Sequence, residues 1–337
     1  MNLSRPGFWS KKSLPVILLW PVSLLFRLLV FLRRTLYQAG VLPSWKSPVP
    51  VVVIGNIAVG GAGKTPLVIA FAKLLTEDGY RVGVVTRGYG GTANDTPVVA
   101  TSESDPSLVG DESVLLAKRT GRPVVVSASR VAAVKYLLEN FDIDCVLCDD
   151  GLQHYALQRD IEVAVIDSVY LHGNRYTLPA GPLREPVSRL NSVDMKIYSG
   201  NNRTASENLP GYSLTGSNLV SLNDPNLVVP VASFSGRRVH AVAGIAAPAG
   251  FYDFLQAGNI DTVQHGFADH AAYKRDDLLF DDDLPVVMTE KDMVKCSRFT
   301  LLDCWYLPVT AQLDDSVVVE FKAHIERVFS MRKSNAD

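Results

Sequence analysis

Between residues 51 and 78 a run of strand residues gives way, through a glycine-rich turn, to a helix, and few folds accommodate that junction. The run Val51-Val52-Val53-Ile54-Gly55 has the unbroken apolar, β-branched character of a strand buried on both faces. It leads into Asn56-Ile57-Ala58-Val59 and then Gly60-Gly61-Ala62-Gly63-Lys64-Thr65-Pro66, after which helical periodicity runs to about Asp78. Glycines at such a turn let backbone N–H groups surround phosphate oxygens. The start of the helix favours an anion, a lysine at position 64 can bridge outer phosphates, and a threonine hydroxyl at position 65 can face Mg²⁺. The strict phosphate-loop pattern has glycine five positions before Gly63, where this chain has Ala58. An ordinary glycine-rich turn would leave Lys64 and Thr65 without a reason.

Beyond Asp78 the alternation of strand and helix is repeated. Short β-branched runs at Arg81–Thr86, Pro123–Val126, Asp144–Cys148 and Glu162–Ile166 alternate with helical stretches near Glu112–Arg119 and Ser129–Asn140. Continuous apolar strands between helices imply a parallel sheet covered on both faces. After a polar, turn-rich stretch from Gly200 to about Pro230, a second alternation opens with Val239–Ala243 and ends in a helix near Val317–Phe329. The expected class is therefore α/β: a P-loop NTPase-like parallel sheet domain, a smaller C-terminal α/β lobe and an N-terminal membrane-associated helix. The expected division is a segment over 1–45, a P-loop domain over 46–215, a linker over 216–236 and the smaller lobe over 237–337. The acidic stretch Asp276–Asp283 reads as solvated surface.

A phosphate site needs a carboxylate for its metal, ordinarily at the end of a neighbouring buried strand. Asp149 and Asp150 emerge at the C-terminal edge of the Asp144–Cys148 run and meet that need. Cys145 and Cys148 lie inside the same run; positions i and i+3 of a strand point to opposite faces, so the pair reads as core and not as a metal or redox motif. Four cysteines in 337 residues are too few for a disulfide framework.

Charge is unevenly distributed. The first 76 residues carry nine Lys/Arg and no acid, whereas the rest carries 24 Lys/Arg against 35 Asp/Glu. The basic head contains the apolar stretch Leu14–Leu32, with Lys11 and Lys12 before it and Arg33 and Arg34 after it. As a helix it would span about 28 Å, close to a bilayer core, but Arg27 and Pro21 argue against a span, and the arginines stand where a signal peptide would need small residues. Ser23, Arg27 and Arg34 share one helical stripe, so the favoured reading is a helix lying in the membrane interface, with the basic residues at both ends meeting anionic headgroups. The basic residues gather on this apolar helix and the body is acidic, which carries no nucleic-acid signature.

Six motifs in order complete the reading. They are the phosphate loop Gly60–Pro66, Thr86-Arg87-Gly88-Tyr89-Gly90-Gly91, Gly110-Asp111-Glu112, Asp149-Asp150-Gly151-Leu152-Gln153-His154, Leu178-Pro179-Ala180-Gly181-Pro182-Leu183-Arg184-Glu185 and Met288-Thr289-Glu290-Lys291-Asp292. Together they resemble the tetraacyldisaccharide 4'-kinase family, the lipid A 4'-kinases of Gram-negative bacteria, over nearly the whole chain. The resemblance implies ATP and Mg²⁺ as cofactors, and a lipid A disaccharide precursor phosphorylated on its 4'-hydroxyl at the cytoplasmic face of the inner membrane. No obligate protein partner is implied.

The resemblance also implies site roles. Asp111, which sequence alone reads equally well as a helix cap, matches the proposed catalytic base, and Asp269-His270 matches an Asp-His pair near that base. Lys64 assists transfer. Gly60, Gly61, Ala62, Gly63, Lys64, Thr65 and Pro66 hold ATP, with Lys291 and Asp292 on the adenine side or capping a helix. Thr65, Asp149, Asp150 and Glu185 are the metal candidates, Glu185 alternatively ordering its loop. Arg87, Tyr89, Glu112, Gln153 and His154 are the substrate candidates. Two rival readings are a membrane-recruited ATPase switch and a kinase of a small soluble substrate. The switch has a lysine where this chain has Val59, and the soluble kinase leaves the apolar helix unexplained.

Overall fold

A computed structural model describes residues 6–10, 13–92, 96–200 and 209–334. Lys11 and Lys12, expected to flank the apolar helix, lie outside the described residues. Helix α1 (Leu14–Gln38) comes first, followed by β1 (Val51–Gly55), α2 (Lys64–Glu77), β2 (Val82–Thr86), β3 (Val98–Ala100), the short α3 (Pro106–Val109), α4 (Asp111–Thr120), β4 (Val124–Val126), α5 (Arg130–Asn140), β5 (Cys145–Asp149), β6 (Ile161–Asp167), β7 (Met195–Ser199) and β8 (Gly211–Thr215). The chain continues through β9 (Asn218–Ser221), β10 (Val228–Pro230), β11 (Arg238–Ala243), α6 (Ala249–Ala257), β12 (Asp261–Gly266), β13 (Val286–Thr289), α7 (Glu290–Cys296), β14 (Cys304–Leu307), β15 (Thr310–Leu313) and α8 (Asp315–Ser334).

Two sheets result. The first has nine strands in the order β15-β8-β7-β6-β1-β5-β2-β4-β3, parallel throughout except for its antiparallel edges β15 and β3. The second has six strands in the order β10-β9-β14-β13-β11-β12, with a parallel core of β14, β13, β11 and β12. Successive strand residues serve opposite layers of the first sheet. Val52, Ile54, Val84, Cys145 and Leu147 pack with Phe71 of α2 and Phe321 of α8, whereas Val51, Val53, Val85, Val146 and Cys148 pack with Val134 and Leu137 of α5. Cys145 and Cys148 thus lie in different cores, as the strand period requires.

Two features differ from the sequence reading. The stretch expected as a linker over 216–236 contains β9 and β10, which belong to the second sheet, and the preceding polar stretch contains β8 of the first. The chain also returns to the first sheet at its end. β15 pairs with β8, and α8 stacks Phe321 flat on Phe71, with ring centres 3.8 Å apart and planes 3° from parallel.

Helix α1 turns part of its polar stripe, Ser23 and Arg34, toward the protein body. Ser23 is buried and donates to the Thr177 carbonyl at 2.5 Å, and Arg34 donates to Ser192 Oγ at 2.9 Å. Val16, Leu19, Phe26, Val30 and Tyr37 share that inward side, at helical spacing. Arg27 remains exposed, together with Leu14, Ile17, Leu18, Leu25, Leu28, Leu29 and Phe31. Periodicity identifies a stripe without saying which side meets water. Here the protein body takes Ser23 and Arg34 with a few apolar neighbours, and a broad apolar face is left outward.

Candidate active site

The parallel strands of the first sheet all end at one edge, and the chemistry gathers there. Between β1 and α2 the chain takes left-handed conformations at Gly60 (φ 107°) and at Gly63 (φ 77°), the residue capping α2. A side chain at Gly63 would be strained by its φ and would also collide with the Tyr212 hydroxyl. From below, the Tyr212 hydroxyl donates to the Gly63 carbonyl, and Ser199 Oγ donates to the Ala62 carbonyl at 2.8 Å. These two bonds fix the loop's carbonyls downward. Thr65 and Pro66 are half-buried at the head of α2.

Lys64 Nζ lies 3.5 Å from Asp150 Oδ1, and Arg184 Nη1 lies 3.0 Å from Asp150 Oδ2. Burial pushes the Asp150 carboxyl up, but the charges of Lys64 and Arg184 more than offset it and hold the group well below the usual carboxylate range. Asp149, at the end of β5, behaves oppositely. It is buried with Thr86 Oγ1 3.4 Å from its Oδ2 and no hydrogen-bond partner on Oδ1 among the described residues, and burial, followed by the Glu112 charge, raises its carboxyl well above the ordinary value. Arg130, itself buried, donates to the Asp149 carbonyl at 3.1 Å and to the Ser127 carbonyl at 2.9 Å.

A second cluster lies where the two sheets meet. Gly110 (φ 85°) is the N-cap of α4, and a Cβ there would approach the Tyr89 carbonyl at 2.6 Å, so only glycine lets the Arg87–Gly91 loop and Asp111 come this close. Asp111 Oδ1 and Oδ2 lie 2.9 and 3.1 Å from His270 Nδ1. Lys291 Nζ lies 3.0 Å from Glu112, 3.1 Å from Asp269 and 3.4 Å from His270 Nε2. An ammonium only donates, so neutral His270 accepts at Nε2 and carries its proton on Nδ1, where it donates to Asp111. Burial pushes the Asp111 carboxyl up, yet the His270 hydrogen bond and the Lys291, His270 and Lys295 charges outweigh it and leave the group below its usual range. Burial lowers His270, but the bond to Asp111 reverses the balance and raises it. Tyr89 borders the cluster with its ring centre 5.0 Å from that of His270.

A model of the tetraacyldisaccharide-1-P 4'-kinase family matches residues 15–327. The chain belongs to that family. It is an enzyme, a kinase acting on an alcohol acceptor. A tetraacyldisaccharide 4'-kinase of Azoarcus sp. (strain BH72) is 45% identical over 316 residues, covering 92% of each chain. One from Coxiella burnetii (strain RSA 331 / Henzerling II) is 42% identical over 336 residues, covering 99% of each. Among solved structures, the "apo" form of LpxK from Aquifex aeolicus in complex with ATP is similar with a TM-score of 0.77 at 27% identity, covering 93% of this chain and 99% of that one.

Several residues of the family kinase stand elsewhere than the sequence reading put them. Asp292 is fully buried: its oxygens accept from the Gly244 amide at 2.9 Å, Thr289 Oγ1 at 2.6 Å and the Tyr273 hydroxyl at 3.0 Å, and Lys295 lies 2.7 Å away. No face of that carboxylate is left for an adenine. Lys291, paired with it in the motif, belongs to the Asp111 cluster. Glu185 is buried with Gln153 Nε2 at 2.9 Å, the Tyr155 hydroxyl bonded to it and Arg189 Nε at 3.7 Å, contacts that fit the ordering of its loop. Gln153 also donates to the Asn56 carbonyl at 3.1 Å and so ties that loop to the phosphate loop. Tyr212, Ser199, Arg130, Arg184 and Lys295 were not read from sequence as site residues. Only Arg184 carried a signal, being inside the Leu178–Glu185 motif.

Proposed function

We propose that the enzyme transfers the γ-phosphate of ATP to the 4'-hydroxyl of a tetraacyldisaccharide 1-phosphate in lipid A assembly, with Asp111 as general base. The observation that carries this reading is the 2.9 Å contact between His270 and a buried Asp111, one residue from Glu112, whose charge is felt at Asp149 of the phosphate site. Phosphoryl transfer requires the acceptor hydroxyl in line, its proton accepted, and charge on the moving group offset. Asp111, ionised because its neighbours keep its pKa low, takes the hydroxyl proton as the oxygen bonds to phosphorus and the bond to the bridging oxygen of ADP breaks. His270 donates to that carboxylate and fixes its direction; Asp269 and Lys291 fix His270. The backbone from Gly60 to Gly63, with Lys64 and Thr65, cradles the phosphates.

The donor set fits Mg²⁺ on its own chemistry. Asp149 Oδ1 is a buried carboxylate oxygen without a hydrogen-bond partner among the described residues, beside the phosphate loop, which suits a cation bound through one carboxylate and nucleotide oxygens. Thr65 and Asp149 would hold the ion, Asp150 being engaged by Lys64 and Arg184. When bound, Mg²⁺ supplies positive charge against the phosphates. Arg87, Tyr89 and His154 are proposed to contact the acceptor, and the outward apolar face of α1, long and apolar enough to cross a membrane, supports residence at the cytoplasmic surface of the inner membrane.

The test is transfer of labelled γ-phosphate from ATP to a tetraacyldisaccharide 1-phosphate by purified protein. Transfer abolished in folded Lys64→Ala and Asp111→Asn variants supports the reading. ATP turnover without labelled lipid, or transfer that survives Lys64→Ala, refutes it.

A further inference from the structure

The two oxygens of Asp111 are held differently. Oδ1 accepts from the Glu112 amide at 2.8 Å and has His270 Nδ1 at 2.9 Å. Oδ2 has the longer, 3.1 Å arm of the same histidine and faces two ammoniums of α7, Lys291 and Lys295, each 4.0 Å away. At that distance a cation adds its charge but makes no hydrogen bond. Each lysine is drawn off by a carboxylate elsewhere. Lys291 lies 3.0 Å from Glu112 and 3.1 Å from Asp269, and Lys295 lies 2.7 Å from Asp292 Oδ1, one turn back on the same helix.

Asp292 does not need Lys295 to satisfy its hydrogen bonds. Its Oδ2 accepts from the Gly244 amide and the Thr289 hydroxyl, and its Oδ1 from the Tyr273 hydroxyl, which are enough donors for a buried carboxylate. Burial, followed by the Asp292 charge, pushes the Tyr273 phenol far up, so it stays a donor. Lys295, its side chain 8% exposed, carries the cost of a buried ammonium while its N–H groups make no aligned hydrogen bond among the described residues. What its charge does reach is Asp111. The titratable groups facing Asp111 are Glu112 from α4, Asp269 and His270 from the segment after β12, and the two lysines from α7, with Tyr89 bordering His270. Lys295 is balanced from outside that cluster, by Asp292.

We propose that Asp292 is a positioning residue for phosphoryl transfer that acts through Lys295: it draws the ammonium back from Asp111 Oδ2, so that this oxygen feels the positive charge yet stays open to the proton of the acceptor hydroxyl. This rests on Asp111 being the general base of the proposed function. Without the Asp292 charge, Lys295 closes the remaining gap and donates to Oδ2, occupying the lone pair that the hydroxyl proton needs. Without Lys295, Asp111 loses a cation and meets the uncompensated charge of Asp292, so it binds a proton more readily. With both made neutral, neither fault arises.

Asp292→Asn, Lys295→Met and the double variant are assayed for transfer across pH in neutral detergent micelles, with thermal unfolding of the full chain checking each fold. Asp292→Asn keeps an oxygen to accept from Gly244 and Thr289, and it should lower kcat about 10²-fold with KM for ATP within about twofold. Adding Lys295→Met should recover about tenfold of that loss, because the ammonium capping Oδ2 is gone. Lys295→Met alone should keep kcat at alkaline pH within about threefold of wild type but move the acid limb of kcat/KM up by about one pH unit, and Lys295→Arg should return the limb. The two Lys295 variants decide the question even if Asp292→Asn does not fold. A pair that only braces α7 behaves otherwise. Its losses multiply in the double variant, the acid limb stays in place, and KM for ATP rises with the fall in kcat, since Gly244 opens the loop whose Ala246 Cβ lies 3.0 Å from where a Cβ on Gly61 would be. Any of these results overturns the proposal. Asp111→Asn separates the two levels: transfer at the wild-type rate means that the base reading itself has failed, whereas an inactive Asp111→Asn beside an unmoved limb in Lys295→Met means that the role of Asp292 alone has failed.

Discussion

The two faces of α1 should respond in opposite ways to substitution. Leu25 and Leu29 are 57% and 56% exposed, one helical turn apart on the outward side, and Ser23 is 2% exposed on the inward side. Moving a leucine side chain from water into hydrocarbon is worth about 1.5–3 kcal/mol. Replacing Leu25 and Leu29 together by serine therefore removes about 3–6 kcal/mol of partitioning, a hundredfold or more at about 1.4 kcal/mol per tenfold. Folding stability should move by only about 0.5 kcal/mol, because both residues are on the surface. Ser23→Ala deletes the 2.5 Å bond to the Thr177 carbonyl and the 2.9 Å hydroxyl contact with Thr177, which should loosen α1 against the body by about 1–2 kcal/mol and leave partitioning nearly unchanged. Co-sedimentation with anionic vesicles reads the first effect, and hydrogen exchange across α1 in detergent reads the second. If Ser23→Ala released the protein from vesicles as effectively as the leucine pair, the inward assignment of the polar stripe would be wrong.

Substitutions at the site and in the core have equally definite outcomes. Asp111→Asn and His270→Ala should each lower kcat about 10²-fold, and the double variant should lose far less than the product; multiplicative losses would show that the two act separately. The same pair sets a pH window for stability: His270, raised by Asp111, contributes fully below about pH 6.5 and loses its contribution as pH rises through its folded value, while Asp111, held low, contributes above the carboxylate range and loses it in acid, so His270→Ala should flatten the stability–pH curve measured by urea unfolding. Asp149→Asn should raise the melting temperature of nucleotide-free protein most at alkaline pH, because burial penalises the charged form there, and should abolish the extra stabilisation by MgATP over ATP alone; a retained Mg²⁺ increment in thermal shift would remove Asp149 from the metal site. Phe321→Ala should cost about 3–5 kcal/mol in urea unfolding, because the ring is fully buried against Phe71; a cost below about 1 kcal/mol would mean that α8 is held by other contacts.

Local chemistry was legible in the sequence where spacing alone decides it. The phosphate loop lies at the junction of β1 and α2, Asp149 stands at the end of β5, and Cys145 and Cys148 divide between two cores because the strand period makes them. Pairings between distant segments were not legible. Strand β8 is half polar and lies in a turn-rich stretch, so nothing local announces that it brings Tyr212 beneath the phosphate loop or that β15 closes the sheet against it. Lys291 and Asp292 are adjacent in a motif, yet a helical step of about 100° sends one side chain into the Asp111 cluster and the other into the core beneath Gly244.

The proposed base, Asp111, is positioned by one helix pair more than by the phosphate loop. Asp111, Glu112 and Arg119 all belong to α4, and of their partners Lys291 and Glu290 belong to α7, with His270 on the segment between β12 and β13. Arg119 donates through one nitrogen to both Glu290 oxygens, at 2.8 and 2.7 Å, and Glu290 is buried, so the far end of α4 is fixed to the start of α7 while Asp111 is held at the near end. Withdrawal of α7 would remove the Lys291 and Lys295 charges that, together with the His270 bond, keep Asp111 ionised against its own desolvation. Its basicity and its availability as an anion are therefore properties of the contact between the two sheets' helices. Substitutions along α4 and α7 should accordingly register in the rate of transfer, whereas substitutions in the β1–α2 loop or at the Ser199 and Tyr212 bonds beneath it should register in nucleotide affinity.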